Sequence, residues 1–267
     1  MINDGSTDNT DEVIDIIIAA HSEKFRYIKT ENSGLAATRN KGVSESSGEY
    51  LVFLDADDEL ADEGLRILRD GITRVPEAKM IVAGHIAVHE NGEEVYRGVR
   101  GMPADKVEKL RGYLLNKTIS LSNGSVAMHR EIFARYRYNP EFRSSEDIPV
   151  FAFVLANYCV SVEDEPVARV YKHSDSLRHN VGFALEVGET LVDEVFDPQR
   201  MPASIMGLKK EFSIQRYLSL SRICFLAKDY DHCVGFYCKA LKADWRILFK
   251  VSYTRKAFKA WTSQALV

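Results

Sequence analysis

The four cysteines of this 267-residue chain (Cys159, Cys224, Cys233 and Cys238) include no CxxC spacing. That absence excludes a disulfide scaffold and the common zinc-binding patterns, and it points to free thiols in a reducing compartment. No apolar run approaches the roughly 20 residues that a membrane span needs. The opening residues do not read as a signal peptide, so a cytoplasmic location is expected. Proline is scarce, 7 residues in all, and glycine contributes 16, which excludes collagen-like and low-complexity classes. Positive charge is not in excess either. The net charge of −4 argues against general nucleic-acid binding.

What is present fits a globular protein with a sizeable core: 45% hydrophobic and 28% charged residues. The charge is unevenly placed. From Lys239 onward there are seven basic residues and one acid, Asp244, giving the tail about +6 and leaving about −10 for the residues before it. Trp245, Leu248, Phe249, Phe258 and Trp261 interleave with those lysines and arginines. An amphipathic basic segment of this kind suits peripheral contact with an anionic membrane, and packing against the acidic remainder of the chain suits it equally.

The first hundred residues alternate between helix-like and strand-like patterns, which predicts an α/β layer with a mostly parallel sheet. Thr7 to Glu12 supplies N-cap candidates ahead of an apolar stretch from Val13 to Ile18. Phe25–Ile28, Glu49–Leu54, Met80–Val88 and Glu165–Tyr171 read as strands. Helices are expected around Asp105–Asn116, Ile148–Ala156, Phe212–Lys228 and His232–Leu241. The last two are similar to one helix–turn–helix repeat of the tetratricopeptide kind, which cannot bury its own face alone. The expected organisation is a domain over residues 1–204 and a helical extension over 205–267.

Chemistry concentrates in Asp55-Ala56-Asp57-Asp58, which ends a hydrophobic strand. Ligands of open α/β sheets bind outside the carboxyl ends of strands. Carboxylates two apart can share a hard divalent cation and a ribose hydroxyl, as a nucleoside diphosphate with Mg²⁺ or Mn²⁺ requires. A solvated turn before a helix would use the same residues.

Two more segments precede this cluster: Asn3-Asp4-Gly5-Ser6-Thr7-Asp8 and Asn32-Ser33-Gly34-Leu35-Ala36-Ala37-Thr38-Arg39-Asn40. With Gly48-Glu49-Tyr50-Leu51-Val52-Phe53-Leu54 running into the acids, their order and spacing over about residues 2 to 60 closely resemble the family 2 glycosyltransferases of the GT-A fold. Asn123-Gly124-Ser125, Arg130–Phe133 and Ser145-Glu146-Asp147 are similar to the family's acceptor-side region. Tyr171-Lys172-His173-Ser174-Asp175-Ser176 resembles a late family segment lying near the diphosphate.

The resemblance implies inverting transfer of a sugar from a nucleotide-sugar donor, UDP-linked by expectation, to a glycan or lipid-linked hydroxyl in cell-surface polysaccharide assembly. It implies Mn²⁺ or Mg²⁺ as cofactor. By position, Asp4 matches the residue that bonds the nucleobase, Arg39 a basic residue near base or phosphates, and Asp55 the ribose-side acid. Asp57 matches the metal ligand, with Asp58 its competitor. Asp147 matches the catalytic base and Glu146 its acidic neighbour. His173 is a candidate for metal or phosphate, or a plain loop histidine. His85 and His89 read as structural or solvent-facing.

Family members also carry a strand, a helix and a second strand ahead of the first motif, with the first strand in mid-sheet. This sequence begins two residues before that motif. A gap or open edge beside the Leu51–Leu54 strand is therefore expected, with little or no activity from the chain alone. Two other readings stay open: a metal-dependent phosphohydrolase built on Asp55–Asp58, and a non-catalytic binding protein.

Overall fold

The computed structural model describes residues 1–21, 24–99, 101–173 and 180–264. Strand β1 (Ile2–Asp4), helix α1 (Thr10–His21), strand β2 (Ile28–Thr30) and helix α2 (Leu35–Glu45) come first. β1 and β2 pair in parallel as a two-stranded sheet, with Asp4 opposite Thr30. Then follow β3 (Tyr50–Leu51), β4 (Glu59–Leu60), α3 (Gly64–Arg74), β5 (Met80–His89) and β6 (Glu94–Arg97). After α4 (Lys106–Leu110) and a π-turn over Arg111–Asn116 come β7 (Val126–His129), α5 (Arg130–Arg135), α6 (Asp147–Asn157) and β8 (Val160–Lys172). A six-stranded sheet runs in the order β3-β7-β5-β8-β4, with β6 on the far part of β5.

The direction of pairing refines the expected mostly parallel sheet. The long β5–β8 ladder is parallel, as is β1–β2, whereas β3–β7, β5–β7, β4–β8 and β5–β6 are antiparallel. Parallel pairing needs a crossover, which α6 and its flanking segments supply between β5 and β8. The antiparallel β5–β6 hairpin needs only a short turn through Gly92, whose φ is 80°.

β5 is buried on both faces, and its alternation sorts two cores. Met80 and Val82 point into the larger cluster with α6, whose residues Pro149 to Ala156 are all buried. Ile81 and Ala83 face α3, packing with Ile67, Leu68 and Val167. The helix sits close because Gly64 and Gly71 carry no side chain: a Cβ at Gly64 would stand 2.4 Å from the Val167 carbonyl oxygen.

The strand expected over Glu49–Leu54 forms ladder bonds only at Tyr50 and Leu51, and Leu54 is 43% exposed. Among the described residues β3 pairs on one side only, with β7, and β1 pairs only with β2. Beyond Leu51 the ladder does not continue among the described residues.

Helices α7 (Val181–Val187) and α8 (Thr190–Val195) lead to α9 (Lys209–Leu226), α10 (Tyr230–Ala243), a 3₁₀ turn over Trp245–Phe249, and α11 (Val251–Gln264). α9 and α10 pack through Leu218, Tyr237 and Ala240. Asp229 caps α10 by accepting from the His232 amide. Ile205, Leu208 and Phe212 belong to the main core, so hydrophobic packing is continuous across position 204.

Candidate active site

The end of β1 delivers Asp4 to the N-terminus of α2. Its carboxylate accepts from the Ser33 amide (2.9 Å), the Ser33 hydroxyl (2.9 Å) and the Gly34 amide (2.8 Å). Desolvation pushes Asp4 up, but these hydrogen bonds outweigh it and hold the group below its ordinary value. Gly34, at φ 87°, makes the turn that presents those amides. The structure thus shows Asp4 anchoring the turn that opens α2.

One helical turn further on, Arg39 is buried to 5% exposure. Its guanidinium donates to Asp55 at 2.9 Å and to Glu146, and lies 5.6 Å over the Tyr138 ring. No acceptor meets its Nε among the described residues. Desolvation alone would weaken the cation; Asp55 and Glu146 more than offset that and raise its pKa. Arg39 therefore joins the end of the β3 segment to the start of α6, which no single motif displays.

The next residue fixes the same junction. Asn40 donates to the Tyr138 carbonyl (2.8 Å) and accepts from its amide (3.0 Å). Tyr138 is buried and donates its hydroxyl to Asn123 at 3.1 Å. Reading the motifs singly misses Tyr138; the only signal was the Asn beside Arg39.

Ser145 adopts a left-handed conformation, φ 61°, just ahead of Glu146 and Asp147. That geometry is uncommon for a residue with a Cβ. Desolvation raises the pKa of Asp147, the neighbouring Glu146 charge adds to the rise, and Arg39 opposes it. A carboxylate raised in this way is a stronger base than a free one. Lys117, itself left-handed at φ 58°, has its pKa lowered by desolvation and partly restored by the Asp147 charge.

The acids after β3 divide their roles. Asp58 turns inward and accepts from the Tyr171 amide at 3.0 Å, at the end of β8. Burial, then repulsion from Asp57 and Asp55, pushes it up to about 6. Asp57 stays exposed, with its Oδ2 4.0 Å from Nε2 of His173. Ser174, Asp175 and Ser176 lie outside the described residues. Among the described residues no three His, Cys, Asp or Glu side chains converge on one point. Asp57 and His173 together offer two donors, which fits Mg²⁺ or Mn²⁺ only when diphosphate oxygens and water complete the shell.

The strand histidines His85 and His89 both belong to β5. His85 is buried in β5 and held near 4 by desolvation, with Lys172 and Arg97 adding to the effect, so it is neutral. His89 ends the same strand. A cavity of about 480 Å³ beside α8 is lined by none of the candidate site residues.

The sequence model of glycosyl transferase family 2 matches residues 1–137, just over half of the chain. The chain belongs to this family. Among curated proteins it is 23% identical over 250 residues to the glycosyltransferase GlyG of Streptococcus pneumoniae, covering 89% of this chain and 79% of GlyG. It is 31% identical to GlyA of the same organism over 101 residues, 38% of this chain but only 14% of GlyA. It is 45% identical over 62 residues to a teichoic acid poly(glycerol phosphate) polymerase of Staphylococcus epidermidis, 23% of this chain and 9% of the polymerase. Apart from GlyG, these matches span small parts of their relatives.

Solved structures show the same fold at low identity. S. aureus TarS in complex with UDP-GlcNAc superposes with a TM-score of 0.65 at 17% identity, covering 91% of this chain and 71% of that one. A mannosyltransferase of Pyrobaculum calidifontis, in complex with GDP-Man and Mn²⁺, gives 0.53 at 14% identity, covering 98% and 72%. The six-stranded sheet with its flanking helices is therefore GT-A-like.

Proposed function

We propose that this family 2 chain transfers a sugar from a nucleotide-sugar donor to an acceptor hydroxyl with inversion, residues 1–204 forming the catalytic domain and 205–267 a helical extension. The observation that carries the reading is the Arg39 bridge. It brings Asp55, Glu146 and, beside Glu146, the basic carboxylate of Asp147 to one place. The UDP-GlcNAc complex of TarS supports a UDP-linked donor. The teichoic acid polymerase supports an acceptor in surface-polymer assembly, either a glycan or a lipid-linked carrier.

In this mechanism Asp147 accepts the proton of the acceptor hydroxyl. The hydroxyl oxygen bonds to the anomeric carbon, and the carbon–oxygen bond to the diphosphate breaks with its electron pair leaving on the nucleotide. Burial and the Glu146 charge raise the basicity of Asp147 against the opposing pull of Arg39, whose own charge is shared with Glu146 and Asp55. Asp55 lies on the ribose side of the donor, and Asp4 shapes the nucleobase end by fixing the Asn32–Gly34 turn. Asp57 and His173 would hold Mn²⁺ or Mg²⁺, which when bound offsets the charge of the leaving diphosphate.

A panel of nucleotide sugars with Mn²⁺, Mg²⁺ or chelator tests this reading. The expected result is release of nucleoside diphosphate, with sugar moved to an added lipid or glycan acceptor, lost in Asp147→Asn. Release of nucleoside monophosphate and sugar phosphate from the same donors, unaffected by Asp147→Asn, would replace it with a phosphohydrolase.

A further inference from the structure

The aromatic residues of the C-terminal segment are not the ones that hold it to the rest of the protein. α11 and the 3₁₀ turn before it attach through Tyr253, Ala257, Ala260 and Ile247, which pack on α9 and α10. Small side chains at Ala257 and Ala260 allow that close approach. On the opposite side Trp245 is 64% exposed, Phe249 73%, Phe258 63% and Trp261 59%. These rings make contact in two pairs, Trp245–Phe249 at 5.8 Å and Phe258–Trp261 at 6.1 Å between centroids. Large rings outside any core, this closely grouped, mark an interaction surface.

The charge on that surface has one sign. In α11, Val251, Arg255, Phe258 and Lys259 fall at i, i+4, i+7 and i+8, which is one stripe of a helix, and all four are exposed. Lys250 stands at its head, also exposed. Asp244, the one acid beyond Lys239, is occupied by Arg246 through contacts of 2.9 and 3.1 Å. The stripe therefore mixes apolar groups and cations.

We propose that this face docks on an anionic lipid bilayer, with Phe249, Phe258 and Trp261 entering the headgroup–acyl boundary and Lys250, Arg255 and Lys259 contacting lipid phosphates. The charge complementarity selects the occupant. A second copy docked through the same face would bring the same cations into opposition. The aliphatic Leu248 and Val251, 49% and 63% exposed, extend the apolar part beyond the rings, as acyl chains favour. The rings cross at 71° and 45° and make no parallel platform on which bases would stack. No described helix is long and apolar enough to cross a membrane, so the contact is with the surface. It adds to the transferase reading a means of holding the chain beside a lipid-linked acceptor.

Sedimentation of the full chain with vesicles, in the absence of nucleotide, tests the proposal separately from donor binding. The chain is expected to sediment with mixed phosphatidylcholine–phosphatidylglycerol vesicles, to stay in solution with phosphatidylcholine alone, and to be released at high salt. The triple variant Lys250→Gln/Arg255→Gln/Lys259→Gln should bind at least about tenfold more weakly. Phe249→Ser/Phe258→Ser should do the same, with Phe258→Ser alone as the milder form if the pair lowers the melting temperature. UDP affinity should be unchanged in each. Equal sedimentation with both lipids, or undiminished anionic binding by either variant, overturns the proposal. So does a wild-type chain that ignores vesicles while dimerising, or binding single-stranded RNA, through the same side chains.

Discussion

Arg39 and Glu146 stand 107 positions apart and share a buried ion pair. Glu146 is almost fully enclosed, so its charge is compensated by that one guanidinium. Removing the cation strands a buried carboxylate, which costs far more than the pair itself contributes. Arg39→Ala is expected to destabilise the fold by about 3–5 kcal/mol, seen as a lower urea midpoint. Arg39→Ala/Glu146→Gln should recover much of that loss, because the buried carboxylate is then gone and Asp55, the other partner of Arg39, is partly exposed. A double variant as unstable as the single one would show that packing on Tyr138, and not charge, is what Arg39 supplies.

Asp147 links stability to activity through one titration. Its folded pKa lies above the ordinary 3.8, so the folded state holds a proton that the unfolded state releases between the two values. Its contribution to stability is therefore full below 3.8 and lost as pH rises through the raised pKa. Asp147→Asn keeps the shape without the charge. It should stabilise the fold at pH 7, by on the order of 1 kcal/mol, and lose that advantage in acid. Turnover should fall by about 10²-fold or more while UDP affinity holds. In the wild type, turnover should decline as pH falls through the raised pKa, and melting curves across pH check the other half.

The motifs were legible because each is local: an apolar strand, a turn and a capped helix written within a few residues. The same locality hid what joins them. Nothing in the text around Arg39 marks Glu146 as its partner, since that pair is made by the docking of α2 against α6. β8 reads shorter in sequence than it is, because Glu163-Asp164-Glu165-Pro166 has the composition of a loop. In the structure those residues cross a register shift opposite Gly84, where a bulge accommodates a proline that a regular ladder would reject. The Glu49–Leu54 run shows the converse error, since strand composition cannot supply the neighbour that a ladder requires.

Asp4 offers a test that separates holding the fold from touching the donor. Its carboxylate accepts two backbone amides at the start of α2, as a helix cap would. Asp4→Ala should cost about 1–2 kcal/mol in urea unfolding. Asp4→Asn retains one acceptor oxygen and should lose less. If the side chain acts only through the Asn32–Gly34 turn, UDP affinity will follow stability across the two variants. A large loss of UDP affinity in a stable Asp4→Asn protein would assign a direct contact with the nucleobase.

Asp57 and His173 come together from distant parts of the chain, one after β3 and one after β8. Their 4.0 Å separation leaves two donors side by side and exposed, with no third ligand among the described residues. Mg²⁺ and Mn²⁺ keep water and phosphate in their shells, so an ion here should bind weakly alone and tightly with a diphosphate. Calorimetry should therefore show little heat with Mn²⁺ by itself and a Mn²⁺-dependent gain in UDP affinity. Asp57→Ala should abolish that gain, and His173→Ala should reduce it by about tenfold, the scale of losing one ligand contact. Asp58 is expected to matter differently, because it already serves the Tyr171 amide at the end of β8. Asp58→Asn should preserve the Mn²⁺ gain and Asp58→Ala should weaken it only by loosening the segment that carries His173. If Asp58→Asn instead removes the gain and Asp57→Ala does not, the ion belongs to Asp58 and the inward turn of that side chain must reverse on binding.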